Sequence, residues 1–144
     1  MTSERHVVVA DPERAAREQL TALVERLAPE LGTPLRVHAA TTGTEALLLI
    51  DRLGPALVLS EIVLAELNGL ALLRRVRDNA SNEDSRPPPF IFVTTLVRET
   101  DRYWGLRNGA HAYVTKPYDG ELLRARIRDV LVAGADARPE KLGL

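Results

Sequence analysis

The sequence predicts an α/β fold, a doubly wound five-stranded parallel sheet of order 2-1-3-4-5 with helices on both faces. Three observations predict it. Short apolar runs alternate with stretches of helical period along the chain, the pattern of βαβ units. Ala56-Leu57-Val58-Leu59 is apolar at four consecutive positions, which suits a central strand covered on both faces. Polar residues then follow four of the strands: Asp11, Glu61, Thr94 and Lys116-Pro117. Open parallel sheets bind their ligands beyond these strand ends.

Taken in order, residues 7–9 form the first strand. Asp11 is expected to cap a helix with Pro12 at its first position, where the missing N–H costs nothing. Ala16, Leu20, Leu23, Val24 and Leu27 share one face of that helix, and residues 29–34 turn the chain. Residues 35–40 are the second strand. Thr42-Gly43-Thr44-Glu45 is a capping box that opens a helix through Leu53, which Gly54-Pro55 ends. Beyond the central strand a loop over 63–68 closes on Gly69, and Asn68 caps a helix over about 70–78. Residues 79–89, ending in three prolines, read as an exposed loop. Residues 90–93 and 112–115 are the last strands, separated by a short helix ending at Gly109. Asp119 caps the final helix, expected to bury Leu122, Leu123, Ile127, Val130 and Leu131 and to turn Arg124, Arg126 and Arg128 to water. The domain is expected over residues 1–132, with 133–144 a loose C-terminal tail.

A chain of 144 residues makes one domain with a sizeable core. Its net charge of -1 supplies no general pull toward nucleic acid or anionic membrane, and Arg74, Arg75 and Arg77 read as a solvated helix face. Without cysteine there is no disulfide framework or thiol site, and a cytoplasmic location is expected. The first six residues are too polar for a signal peptide, and no apolar run approaches the ~18 residues of a membrane span. His6, His38 and His111 lack metal-ligand spacing. Basic residues are arginine except at Lys116 and Lys141, which points to a compact charge at 116 or to compositional chance.

Acid, acid, hydroxyl and lysine at successive strand ends resemble the receiver domain of two-component response regulators, over about residues 5–131. Pro55-Ala56-Leu57-Val58-Leu59-Ser60-Glu61-Ile62 is similar to the family's run into its phosphoacceptor, with Gly69 closing the loop. Val93-Thr94-Thr95 is similar to the segment whose hydroxyl contacts the phosphoryl group. Gly109-Ala110-His111-Ala112-Tyr113-Val114-Thr115-Lys116-Pro117 resembles the last strand, with its aromatic switch residue and a cis bond before the proline. The resemblance implies that Glu61 stands at the phosphoacceptor position, normally aspartate, with Asp11 in the acidic pocket. It implies phosphoryl contacts and switching through Thr94, Tyr113, Lys116 and Pro117, and Mg²⁺ held by Asp11, Glu61 and the Val63 carbonyl. Glu99-Thr100-Asp101, Trp104-Gly105 and Arg107-Asn108-Gly109-Ala110 resemble receivers of the chemotaxis-like system behind type IV pilus twitching motility. Implied partners are a histidine kinase or signalling and motility proteins. The implied signalling surface is the face of the fourth helix, fifth strand and fifth helix, where a homodimer would also form.

Two departures bear on the chemistry. Counting from Arg17 puts Pro12 in the second acidic slot; a different register pairs Ala10 with Asp11, and either way one acid is missing. Mg²⁺ demands near-octahedral oxygen ligation, so its binding is expected to be weak. Glu61 carries its carboxylate roughly 1.5 Å farther out than aspartate. A misplacement of about 1 Å costs on the order of 10²-fold in an in-line attack. Glu61 is thus either a drifted acid or a carboxylate that reaches Lys116 and fills part of the phosphoryl position. The expected function is non-enzymatic: a stand-alone atypical receiver acting by protein contact. An ordinary phosphorylated receiver and a small phosphatase-like enzyme on the same fold are the alternatives. Tyr103 and Leu106 are expected to face inward, leaving Trp104 partly exposed as a partner contact, with core packing at the helix edge as the other reading.

Overall fold

The computed structural model describes residues 4–80, 86–134 and 137–142. Five strands alternate with helices: β1 Arg5–Ala10, α1 Arg14–Glu25, α2 Ala28–Leu31, β2 Leu35–Ala40, α3 Gly43–Leu53, β3 Leu57–Ser60, α4 Gly69–Asn79, β4 Phe90–Thr94, α5 Glu99–Arg107, β5 Ala112–Thr115 and α6 Gly120–Ala133. The strands pair in parallel in the order β2-β1-β3-β4-β5, as expected. Every residue of β3 is buried. Alternation along the strands splits the core into two layers. Val8, Val58, Phe90 and Phe92 face α3, α4 and α5, meeting Ala46, Leu72, Leu73 and Leu106. Val7, Val9, Leu57, Leu59, Ile91 and Val93 face α1 and α6, meeting Leu20, Val24, Leu123 and Ile127.

Of the four helix caps expected from the sequence, three form and the one at α1 does not. Thr42, Asn68 and Asp119 accept backbone N–H groups at the starts of α3, α4 and α6. Asp11 does not cap α1; the N-cap residue is Glu13, and its N–H donates to Asp11 Oδ1 at 2.9 Å in a tight turn. The Asp11 side chain is thereby held at the strand end, with Pro12 outside the helix. Where residues 29–34 are expected only to turn the chain, Ala28–Leu31 form the single turn of α2, which Gly32 ends in the left-handed region with φ of 66°. This turn raises the later helix numbers by one, so the anticipated signalling face is α5-β5-α6.

Two side-chain expectations are corrected, and so is the looseness expected of the tail. Leu122 is 55% exposed, because Leu123, Ile127, Val130 and Leu131 already form one stripe and Leu122 lies a helical step off it. Tyr103 is exposed and stacks edge-on against Trp104, while Gly105 and Leu106 are the buried pair of α5. The described tail residues 137–142 fold back on the domain: the Glu140 N–H donates to the His111 carbonyl at 2.6 Å, and Leu142 packs against the core. Part of the loop expected over 79–89 lies outside the described residues. Among the described residues, no helix is long and apolar enough to cross a membrane.

Candidate functional site

Strand register places the site. Ala10 pairs with Ser60, and the Glu61 N–H continues the ladder to the Ala10 carbonyl at 2.9 Å. Asp11 and Glu61 therefore leave neighbouring strands side by side. On the other flank Thr94 ends β4, and the Lys116 N–H donates to the Thr94 carbonyl at 2.8 Å. Asp11, Glu61 and Thr94 are buried, so each polar side chain needs a partner inside the protein. The peptide bond between Lys116 and Pro117 is cis, as the resemblance to receivers implies.

Glu61 is the hub. Its Oε2 accepts the N–H groups of Ile62 at 2.6 Å and Val63 at 3.2 Å, together with the Thr94 hydroxyl. Its Oε1 accepts the Thr95 N–H at 3.1 Å, the Thr95 hydroxyl at 3.4 Å and Lys116 Nζ at 3.4 Å. The carboxylate thus curls back onto the loop that follows it. Gly69 permits that loop to close: a Cβ there would stand 2.6 Å from the Glu61 carbonyl oxygen and 2.8 Å from Ile62 Cα. The Gly69 N–H then seals it onto the Ile62 carbonyl at 2.8 Å.

Lys116 bridges the two acids, with Nζ 2.6 Å from Asp11 Oδ2 and 3.4 Å from Glu61 Oε1. Burial acts to lower the Lys116 pKa, but the Asp11 and Glu61 carboxylates outweigh it and hold it above the usual value. At Glu61 burial pushes the pKa up, yet the hydrogen bonds from Thr94, Val63, Thr95 and Ile62 prevail and the net direction is down. The pocket therefore favours an ionised Glu61 and a charged Lys116. The ammonium supplies the cation between the acids.

A second set of bonds leads away from the site. Thr94 Oγ1, which donates to Glu61, also accepts the Leu96 N–H at 3.1 Å. The Leu96 carbonyl accepts the Tyr113 hydroxyl at 2.7 Å. Tyr113 lies inward, edge-on to Phe92, and fits because residue 105 is glycine: a Cβ there would stand 2.9 Å from the Tyr113 ring. Trp104 stands outside this path and is 50% exposed.

Of the residues singled out in the sequence, Asp11, Glu61, Thr94 and Lys116 converge. Tyr113 joins through Leu96, while Val63 reaches Glu61 by its N–H. Sequence reasoning missed the part played by backbone N–H groups and by Thr95. Arg17, which serves in the sequence only to set the register of the acidic slots, binds the Asp11 and Pro12 carbonyls at 3.0 Å each through its guanidinium and braces the turn that carries Asp11. Its signal in the sequence was the resemblance to the arginine that receivers carry in the first helix.

The response regulator receiver domain model matches residues 7–128. The protein PilH of Pseudomonas aeruginosa is 34% identical over 125 residues, covering 87% of this chain and 96% of PilH. The transcriptional regulatory protein TrcR of Mycobacterium tuberculosis is 39% identical over 95 residues, covering 66% of this chain but 35% of TrcR. The chain thus spans about a third of that regulator and nearly all of PilH. Among solved structures, a CheY-like receiver domain protein from Methanospirillum hungatei superposes with a TM-score of 0.77 at 24% identity, covering 92% of this chain and 97% of that one.

Proposed function

This chain belongs to the response regulator receiver domain family of two-component signalling, and from that premise we propose that it is an atypical receiver in which Glu61 replaces the phosphoacceptor and itself holds the switch. The observation that carries this reading is the set of donors on the Glu61 carboxylate: Ile62, Val63, Thr94, Thr95 and Lys116. A carboxylate offers about four lone-pair sites, so these donors saturate it. A saturated carboxylate of lowered pKa is a poor nucleophile. The groups that would receive phosphoryl oxygens, Thr94 and Lys116, are already engaged by carboxylate oxygens. The domain is accordingly held in one state without phosphate, and its signal is set by abundance and partner contact.

Receiver domains commonly bind Mg²⁺ at the phosphorylation site. The residues of this chain fit that ion poorly. Two carboxylates face the site, Lys116 already sits between them, and Pro12 contributes no oxygen from its side chain. Bringing a divalent ion in requires displacing the ammonium and reopening the bonds of Glu61. Mg²⁺ binding is therefore weak on this account.

The chain acts by protein contact and not as an enzyme: one acid of the crevice is saturated and the other is paired with Lys116. The likeness to PilH favours a chemotaxis-like system of type IV pilus motility, acting in the cytoplasm with a histidine kinase or motility protein as partner. The α5-β5-α6 face, with Trp104 exposed on α5, is the surface for partner or homodimer contact, and the receiver unit is assigned to residues 1–132. Incubation with a small phosphodonor and Mg²⁺, followed by intact mass, tests the reading. No phosphoryl adduct is expected, and stoichiometric addition at Glu61 would restore the ordinary phosphorylated receiver.

A further inference from the structure

The outer edge of β5 is a sheet edge, and such edges present unpaired peptide groups that recruit extended chain. In this molecule the recruit is its own C-terminal segment. The Glu140 N–H donates to the His111 carbonyl at 2.6 Å, and Glu140 Oε1 accepts the Tyr113 N–H at 3.5 Å. The other oxygen of Glu140 pairs with the Arg102 guanidinium from α5. Arg102 also binds the carbonyls of Lys141 and Leu142, at 3.1 Å each. The segment straddles the edge: Ala137 packs against the α1–α6 layer and Leu142 against the α3–α5 layer. One arginine therefore reads both the side chain of a glutamate and the backbone that follows it.

We propose that the β5 edge and Arg102 form a docking groove for an extended peptide carrying glutamate two residues before an apolar side chain, and that residues 137–142 occupy it in cis as a strap. Tethering favours the cis occupant, because a short linker holds it at an effective concentration in the millimolar range. A competing peptide must displace it, so the groove opens only to a partner that binds well or arrives in quantity. The groove adjoins the site through Tyr113, whose N–H meets the strap and whose hydroxyl meets Leu96 beside Thr94. This inference is independent of whether Glu61 accepts phosphate.

The test uses the full chain and a fluorescein-labelled synthetic peptide with the sequence of residues 135–144. Fluorescence anisotropy should show the peptide binding Glu140→Ala at least tenfold more tightly than the parent, because the strap is loosened. Adding Arg102→Ala to that variant should abolish the gain. Hydrogen exchange at the Tyr113 amide reports strap release independently, and should be faster in Glu140→Ala than in the parent. A peptide in which the glutamate is replaced by alanine should bind neither protein. Equal binding to parent and Glu140→Ala, absence of binding to both, or binding that persists without Arg102 would each overturn the proposal.

Discussion

Glu61→Gln removes one charge while keeping the shape of the side chain. In the parent, Oε2 takes three donors and Oε1 takes two from Thr95 and one from Lys116. A glutamine must put its NH₂ in one of those positions, where it faces donors whichever way the amide turns. Hydrogen bonds to a charged group contribute about 1.5–3 kcal/mol each. Breaking a buried ion pair costs about 3–5 kcal/mol. Lys116 keeps Asp11 at 2.6 Å, so the loss belongs at the low end of that range. The expected destabilisation is about 3 kcal/mol, which for a domain of this size lowers Tm by roughly 6–12 °C. Urea unfolding at neutral pH, with Trp104 fluorescence as the probe, measures it. The sign with pH follows from the folded pKa of Glu61, which lies below the ordinary 4.5. Its stabilisation is present above that value and is lost as pH falls through the folded pKa. The gap between parent and variant should therefore be full at neutral pH and shrink in acid below about pH 4.5. A Glu61→Gln protein within about 0.5 kcal/mol of the parent at neutral pH would refute the reasoning, and Glu61 would be an idle acid.

Millimolar Mg²⁺ should raise Tm by less than about 2 °C, because the ion must compete with Lys116; a saturable, larger rise in a thermal-shift titration would show that another acid completes the site. Glu61→Asp alone should phosphorylate poorly from a small phosphodonor, while Glu61→Asp with Pro12→Asp should yield the adduct by intact mass. Burial pushes the Tyr113 phenol up to about 12, with the Asp101 and Glu61 charges adding to it. A folded pKa raised above the unfolded value of 10.0 gives stability that is complete below pH 10.0 and lost as pH rises toward about 12. Tyrosinate absorbance should show a last phase near pH 12 in the parent that Tyr113→Phe lacks.

The sheet and the convergence of its polar ends were legible in the sequence because burial and topology act on whole segments. β3 reads as central from four apolar neighbours, and a central strand fixes which residues stand beside it. The direction taken by the Glu61 side chain was not legible. It depends on N–H groups of Ile62, Val63 and Thr95, which carry no sequence signal, and on a loop that closes only with the backbone of Gly69 against Glu61. The phase of α5 was misread at Tyr103 because its nine residues hold few apolar side chains, and Gly105 takes an inward position to make room for Tyr113. Nothing local links Arg102 to Glu140. They meet 38 residues apart in sequence, through an edge that only the folded sheet presents.

The most direct test of the account is a carbon-13 NMR titration of the Glu61 carboxyl, followed together with the amide of Thr95. The Glu61 carboxyl should titrate below 4.5 and shift the Thr95 N–H with the same midpoint, since Thr95 donates to Glu61 at 3.1 Å. A Glu61 that titrates at 4.5 or above, with the Thr95 amide unmoved, would contradict the claim that this carboxylate holds the switch.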